Sequence, residues 1–541
     1  MKNDAALEDT GRGLTVCWQG RYLYSRRDPS ARPDRIAEAA PLEHRCLYFV
    51  PSPLLGHGME KLAERLPDDS QILALEVNQD LMAACSAAID PHLTSNPLIT
   101  WVRLSDNASI HEVLYRLGPW KFRRIRRVEL SGGAVVDRLL YDNLEEFISR
   151  DLAAYWKNRH ALGRLGRQWI RHAYANLAAW ETKDQPDNTE ADIPTSKVTI
   201  VAGAGPSLEE SFSFIRENRS DIRLLAADTA LPALLDAGIV PDAVVALETQ
   251  AWNFLDFHGS ASSGIPVYAD LTSYPAILEY TGGSVKPFSS DFAELDWLRR
   301  LDDTGLRCFR IPPLGSVGLA AVEIALETGT GPVILTGLDF AYQPGKTHAR
   351  GSSVHKWQMA NIARLDPMPG YAASMLRPRL RAPSAAGGNV RTDIILKGYA
   401  SLLTDRFAST GRLYLLSPGG LNLDIPVLDK RHAAELLKRS ESVNASPCRQ
   451  APEKPPAFLC RRFLDEEVAG LTKIIREWDD YARGSATAKR VAEALVGMDQ
   501  IFCDFPDEPP LPNDNDAFLV RAVSRTRSLL KLIRRIREIG V

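Results

Sequence analysis

The stretch Lys197-Val-Thr-Ile-Val-Ala-Gly-Ala-Gly-Pro-Ser-Leu208 decides how this chain is read. It opens as an apolar, β-branched run and turns through Gly203-x-Gly205. Pro206 and Ser207 then lead into a helical pattern with Leu208, Phe212 and Ile215 on one stripe. Strand, tight turn and helix N-terminus is a common way to gather backbone N–H groups round a phosphate. Glycines at 203 and 205 permit positive φ and close ligand approach, and Pro206 suits a first helical turn. The stretch is not the dinucleotide fingerprint, because the third glycine is absent, nor a Walker loop, because no Gly-Lys-Ser/Thr follows. Its own residues leave two readings open, a phosphate loop and a plain strand–helix turn.

Outward from this turn, strand-like runs recur at Leu224–Ala227, Ala243–Leu247, Pro266–Tyr268, Leu306–Phe309, Val333–Leu335 and Leu413–Leu416, with helical patterns between them. That alternation predicts a Rossmann-like α/β domain with a mostly parallel sheet, which takes ligands at the carboxyl ends of its strands. Acids follow four of the runs: Asp228, Glu248, Asp270 and Asp339. One acid after a strand is commonly a helix cap, whereas four in one sheet converge on one crevice. There they can accept from sugar hydroxyls, hold a metal or act as a base. Gly315 and Ser316 in Leu314-Gly-Ser-Val-Gly318 open a further helix and offer a second anion site. The run Thr336–His348 adds Tyr342, Lys346 and His348 on a loop, and a loop histidine is an acid or base candidate. Residues 350–391 carry Trp357, Tyr371, Arg377, Arg379 and Arg381 and read as a lid or as a surface insertion.

The N-terminal part predicts a hairpin about Gly20-Arg21, then a smaller α/β domain. Cys46–Val50 is a strand, Gly56 and Gly58 punctuate a loop, Met59–Leu66 begins a helix, and Ile72–Val77 is a strand carrying Glu76. Gly56, Gly58 and Glu76 fit a nucleotide site or a packing turn. Pro51 and Pro53 remove N–H groups where a phosphate would need them, which favours packing. Residues 145–180 read as one or two helices, 185–194 as a linker, and 440–458 as the next boundary. Beyond it lies a helical C-terminal domain whose last helix carries Arg521, Arg525, Arg527, Lys531, Arg534, Arg535 and Arg537. The expected division is therefore 1–145, 146–196, 197–430 and 431–541.

At 541 residues several domains are needed. A net charge of −3 gives no general pull toward nucleic acid. The 7 cysteines form no CxxC pair, so neither a zinc site nor a disulfide framework is indicated. No signal peptide and no membrane-length apolar run stand out, and the simplest expectation is a cytoplasmic protein.

A resemblance then emerges. Gly203–Leu208, Ala227-Asp-Thr-Ala-Leu231, Gly238-Ile-Val-Pro-Asp242, Gly315-Ser-Val317, Gly337-Leu-Asp-Phe-Ala-Tyr342 and Gly345-Lys-Thr-His348 resemble, in order and spacing, the central domain of the motility-associated factor (Maf) family of flagellin glycosyltransferases. Gly20–Ser25, Trp169–Leu177 and Ser417–Leu421 resemble its flanking segments. The central region is similar, more remotely, to bacterial sialyltransferases that use CMP-sialic acid.

The resemblance implies a transferase moving a nonulosonic acid of pseudaminic or legionaminic type from a CMP donor to Ser or Thr of flagellin, as flagellar assembly and motility require. By the same likeness, Gly203, Gly205, Pro206 and Ser207 would meet the donor's phosphate or ribose, and Asp228 and Glu248 the nucleotide and sugar. Gly315 and Ser316 would meet the cytidine or the sugar carboxylate, with Thr392 beside them. The sialyltransferases place a histidine base shortly before a Thr-Asp pair. Here Gly387-Gly-Asn-Val-Arg-Thr-Asp393 lacks it, so Asp339 and His348 become the catalytic candidates. No resident cofactor is implied, and magnesium is left open. Two rival readings remain: an ATP-dependent enzyme resembling pterin diphosphokinases, and a non-catalytic flagellin-binding factor.

Overall fold

The computed structural model describes residues 5–103, 110–182, 197–291, 295–306, 309–376, 380–416, 418–440, 455–505 and 512–539. The linker expected at 185–194, most of the 440–458 boundary, Arg377, Arg379 and Ser417 lie outside the described residues. The chain divides into two units, Met1–Ala161 and Leu162–Val541.

In the first unit, β1 (Ala5–Asp9), β2 (Leu14–Trp18) and β3 (Arg21–Tyr22) form an antiparallel sheet, so the hairpin about Gly20 is joined by a strand on its N-terminal side. A second sheet holds β4 (Cys46–Pro51), β5 (Gln71–Glu76), β6 (Ile99–Arg103) and β7 (Arg124–Arg127), all parallel, in the order β6-β5-β4-β7. The two inner strands are almost wholly buried, as strands covered on both faces must be. The edge strand β7 escapes a pattern reading because it is short and polar. In β7, Arg124 pairs with Glu43 at 2.6 Å and Arg127 with Asp142 at 2.5 Å. The unit closes with the long Arg138–Ala161 helix, which runs without a break across the division expected at 145/146.

The second unit is built on eight parallel strands: β8 (Val198–Ala202), β9 (Ile222–Ala227), β10 (Ala243–Ala246), β11 (Val267–Asp270), β12 (Val285–Ser290), β13 (Phe309–Ile311), β14 (Val333–Thr336) and, after the β15 (Leu380–Pro383)–β16 (Asn389–Thr392) hairpin, β17 (Leu413–Leu415). Their order is β13-β12-β11-β10-β9-β8-β14-β17. The chain thus steps outward from β8 and then returns to lay β14 on its other side. β12 is absent from the sequence reading because Pro287 and two serines interrupt its apolar pattern; it forms because its residues are buried against Phe309 and Tyr268 neighbours in register.

Alternation along each strand sends successive side chains to opposite faces. Val201, Leu225 and Val245 pack under the Val317–Thr328 and Ile394–Phe407 helices. On the other face Ile200, Leu224 and Ile334 meet the Leu208–Glu217 helix, while Val244 and Val267 join the core of the Arg167–Thr182 helix and the C-terminal helices.

Those C-terminal helices, Ala457–Ala482 and Asp516–Ile539, therefore share the core of the central sheet. Glu467 accepts from Tyr174, from Gln500 at 2.9 Å and from Arg300 at 2.7 Å, and the Tyr174 hydroxyl also takes the buried Trp297 indole N–H at 3.1 Å. Three of the seven basic residues named on the last helix pair within the fold: Arg525 with Asp504 at 2.8 Å, Arg527 with Asp479 at 3.2 Å and Arg537 with Glu181 at 2.9 Å. No helix among the described residues is long and apolar enough to cross a membrane.

Candidate active site

In an open parallel sheet, the crevice forms where the strand order reverses, outside the carboxyl ends of the strands. Here that point lies between β8 and β14, where the Gly203–Ser207 turn meets Gly337–Asp339. The meeting is close. Gly203 N–H donates to Thr336 O at 2.8 Å and Gly205 N–H to Gly337 O at 2.7 Å. A Cβ on Gly203 would lie 2.5 Å from Gly337 O, and one on Gly205 would lie 2.7 Å from the Asp339 carboxyl carbon. Neither Gly203 nor Gly205 has positive φ, whereas Gly337 sits at +65°. The two glycines are thus demanded by a neighbouring strand-loop rather than by a left-handed turn.

Asp339 occupies the place at this helix start where an anion was expected. Its carboxylate accepts the Ser207 N–H at 2.9 Å and the Ser207 hydroxyl, and both residues are buried. Burial raises the Asp339 carboxyl pKa, and the Ser207 hydrogen bonds oppose that rise. The turn is therefore closed by the protein's own acid. Pro206 precedes the cap Ser207, and the helix proper begins at Leu208. Asp270 is engaged in the same way. It accepts from Thr272 N–H at 2.8 Å and from the Ser290 N–H and hydroxyl, each at 2.7 Å.

The other two strand-end acids stand differently. Asp228 follows β9, is fully buried, and accepts Thr229 N–H at 2.7 Å, the Thr229 hydroxyl at 3.0 Å and the Asn253 side-chain N–H at 2.8 Å. The same Asn253 amide reaches Asp256 at 3.2 Å, and Ser353 donates to the other side of Asp256. Burial, then the neighbouring Asp256 charge, pushes the Asp228 pKa up to about 7. The Asn253 Oδ1, although 5% exposed as a residue, has no hydrogen-bond partner. Glu248, after β10, is open to solvent, and its pKa is raised by the surrounding protein and by Asp256.

The remaining wall comes from three segments. Gly315, at φ +66°, and Ser316 lead into the Val317–Thr328 helix, whose cap Ser316 makes no side-chain capping bond. A Cβ on Gly315 would sit 3.5 Å from the Tyr399 ring, and the Tyr399 pKa is raised by burial and by the charges of Glu248 and Asp393. Thr392 is buried and donates to Phe340 O at 2.8 Å. Asp393 caps the Ile394–Phe407 helix and accepts the Tyr342 hydroxyl at 2.8 Å. The loop 345–353 passes the first turn, where Ala349 N–H donates to Ala204 O at 2.8 Å, and ends at Ser353 on Asp256. His348, half-buried on that loop, contacts the Thr347 hydroxyl at 3.0 Å, and burial lowers its pKa. Its imidazole is therefore neutral at neutral pH and able to take a proton.

The structure thus brings Asp228, Glu248, Gly315 and Ser316 to an open network. It places Gly203, Gly205, Pro206, Ser207, Asp339 and Thr392 in the support beneath. Asn253, Asp256 and Tyr399 belong to the network without having been singled out in the sequence. Asn253 and Asp256 are a polar pair one helical turn apart within the mostly apolar Ala251–Phe257, which is the signal that was available. Among the described residues no group of three or more His, Cys, Asp or Glu side chains is arranged to hold a metal ion.

Comparisons with known proteins agree with this architecture. Residues 171–345 match the family model described as 6-hydroxymethylpterin diphosphokinase MptE-like. An uncharacterized protein of Treponema pallidum (strain Nichols) is 27% identical over 550 residues, covering 98% of this chain and 95% of its own length. A second protein from that organism is 27% identical over 242 residues, covering 39% of this chain and 62% of its own. Among solved structures, the Maf glycosyltransferase from Magnetospirillum magneticum AMB-1 superposes with a TM-score of 0.57 at 16% identity, covering 99% of this chain and 90% of that one. The chain has the fold of a Maf glycosyltransferase over nearly its whole length, with an MptE-like region at its centre.

Proposed function

We propose that this protein is a glycosyltransferase that moves a nonulosonic acid from a CMP-activated donor to Ser or Thr of flagellin. The reading rests on the Maf fold together with the motif order from Gly203 to His348. The observation that carries it is the network of Asp228, Asn253, Asp256 and Glu248 after β9 and β10, on the same strand-end side of the sheet as the switch point, together with the uncapped helix start at Ser316. In this reading the uncapped start of the Val317–Thr328 helix receives an anionic group of the donor. Glu248 and Asp256 accept from donor hydroxyls. CMP departs as a phosphate that needs little protonation, so transfer requires chiefly a base for the acceptor hydroxyl. Neutral His348 is the base. Asp339, engaged by Ser207, positions the turn that the His348 loop is hydrogen-bonded to.

Incubation of the full chain with flagellin and a CMP-nonulosonate, read by intact mass of flagellin, tests the reading. A sugar-sized increment is expected, and its absence with flagellin still bound would point to a binding factor. His348→Ala should reduce transfer by about 100-fold, the usual worth of a positioned base, with an unchanged circular dichroism spectrum. Transfer within threefold of the parent would remove His348 from the role. The MptE-like match favours one other reading, an ATP-dependent pterin diphosphokinase. AMP release in the presence of ATP and a hydroxymethylpterin would select it instead.

A further inference from the structure

The segment from Ser353 to Ile395 leaves its apolar side chains uncovered. Nearly half of the large hydrophobic residues exposed among the described residues fall within 357–395. The Ser353–Ala360 helix has no buried residue, and every residue from Met359 to Met368 is exposed. Trp357, Ile362, Leu365 and Met368 stand along this run, Leu365 at 96% exposure. After the β15–β16 hairpin, Ile394 and Ile395 open the next helix at 79% and 62% exposure. Apolar surface concentrated in this way marks a place where another molecule sits.

The segment is tied to the crevice. Ser353 donates to Asp256. The Gln358 side-chain N–H donates at 3.3 Å to the Thr347 hydroxyl, which is the group that His348 contacts. Ile394 and Ile395 lie in the first turn of the helix that carries Tyr399 to Gly315. Trp252, next to Asn253 in the network itself, is exposed as well. The uncovered residues thus flank the acid network on the His348 side and on the Ser316 side.

The charge of this segment departs from that of the chain. Residues 356–397 carry seven basic side chains against two acidic ones, whereas the whole chain has a net charge of −3. Arg364, Arg381 and Lys397 are exposed, and their side chains have no hydrogen-bond or ion-pair partner among the described residues. One of the two acids, Asp393, is engaged as a helix cap. Tryptophan, methionine and arginine with few acids is also the composition enriched at protein interfaces. A second copy presenting the same surface would bring like charges together. Unpaired cations beside apolar side chains fit instead a polypeptide whose acidic residues flank an apolar face.

We propose that residues 356–397 form the docking surface for the protein acceptor and receive an acidic stretch of it through an apolar face. The proposal rests on the transferase reading for its partner, since there an acceptor hydroxyl must approach His348. An anionic bilayer shares the required chemistry. The ties to Asp256 and Thr347 favour the acceptor, because a bilayer lying here would cover the mouth that a protein hydroxyl has to enter.

Binding of the full chain to flagellin, measured by biolayer interferometry without any sugar donor, tests it. Saturable binding that weakens with added salt is expected. Leu365→Glu with Ile394→Glu should weaken it by about tenfold or more, and so should Arg364→Glu with Arg381→Glu. All four positions are exposed, so the replacements disturb no core, and a glutamate suits the first turn of a helix. Val496→Glu, at an exposed position in the helical C-terminal part, should bind as the parent does. No binding by the parent would overturn the proposal, as would binding within about threefold of the parent in both double variants. It is equally overturned if the variants keep flagellin but lose binding to phosphatidylserine–phosphatidylcholine vesicles, or lose self-association by light scattering. Flagellin binding that the variants lose, in a parent that transfers no sugar, would uphold the docking surface and remove the transferase reading alone.

Discussion

Glu76 and Asp228 are the same device at the ends of two parallel sheets, and they have been put to different use. Each is a buried carboxylate closing an inner strand, and burial raises the pKa of each. Glu76 is ringed by donors on three elements: Ser52, Tyr141 and the Val77–Asn78 amides. Asp228 has Thr229 and Asn253, but faces a second acid, Asp256, across a shared amide. A strand-end carboxylate surrounded by donors holds its loop in place. One that faces another carboxylate is kept near its titration point, and such groups concentrate at functional sites. Asp339 and Asp270 in the central sheet fall on the Glu76 side of this comparison.

The strongest way to break the comparison is at the glycines that let the strand-loops close. Gly337→Ala would place a Cβ 2.2 Å from Gly203 O at φ +65°, and Gly58→Ala would place one 2.8 Å from the Pro33 backbone at φ +80°. Each should destabilise its unit by about 3 kcal/mol or more, read by chemical denaturation. A loss of under about 1 kcal/mol would show that the loops are not held by backbone approach.

A smaller effect sharpens the contrast between the acids. Asp228 has a folded pKa of about 7 against an unfolded value of about 3.9. Between those values the folded protein binds more protons than the unfolded, so stability falls as pH rises from about 4 to about 7. Asp228→Asn cannot titrate, so its stability should be flatter across that window. Superimposable pH profiles for the two proteins would remove the coupled-acid account.

The smallest effect belongs to the donor ring. Tyr141→Phe removes the hydroxyl that Glu76 Oε1 accepts. The expected cost is about 1–2 kcal/mol at pH 7, diminishing as pH falls and Glu76 protonates. A cost that stays constant with pH would show that packing, not the carboxylate, was lost.

Much of the frame was legible. Val198–Ala202 forms a strand over the residues expected, Ile222–Ala227 and Val333–Thr336 extend theirs by a residue or two, and β5 in the first unit carries Glu76 at its end as read. Short strands with polar or proline-bearing patterns, β7 and β12, were not legible, because their strand character comes from neighbours in register. Within the site, Asp228, Glu248, Gly315 and Ser316 could be named from their positions after strands or before a helix. Asp256 and Tyr399 follow no strand, and only packing brings them to the same crevice.

The sequence by itself determined the alternation of elements and which strand ends bear acids, because both are local properties of hydrophobic period and turn residues. It could not determine which acids are free. That depends on what comes from far along the chain: Ser207 reaches Asp339 across 132 residues, and Tyr141 reaches Glu76 across 65. A buried carboxylate's role is set by whether donors or another charge surround it, and those neighbours are chosen by the tertiary fold.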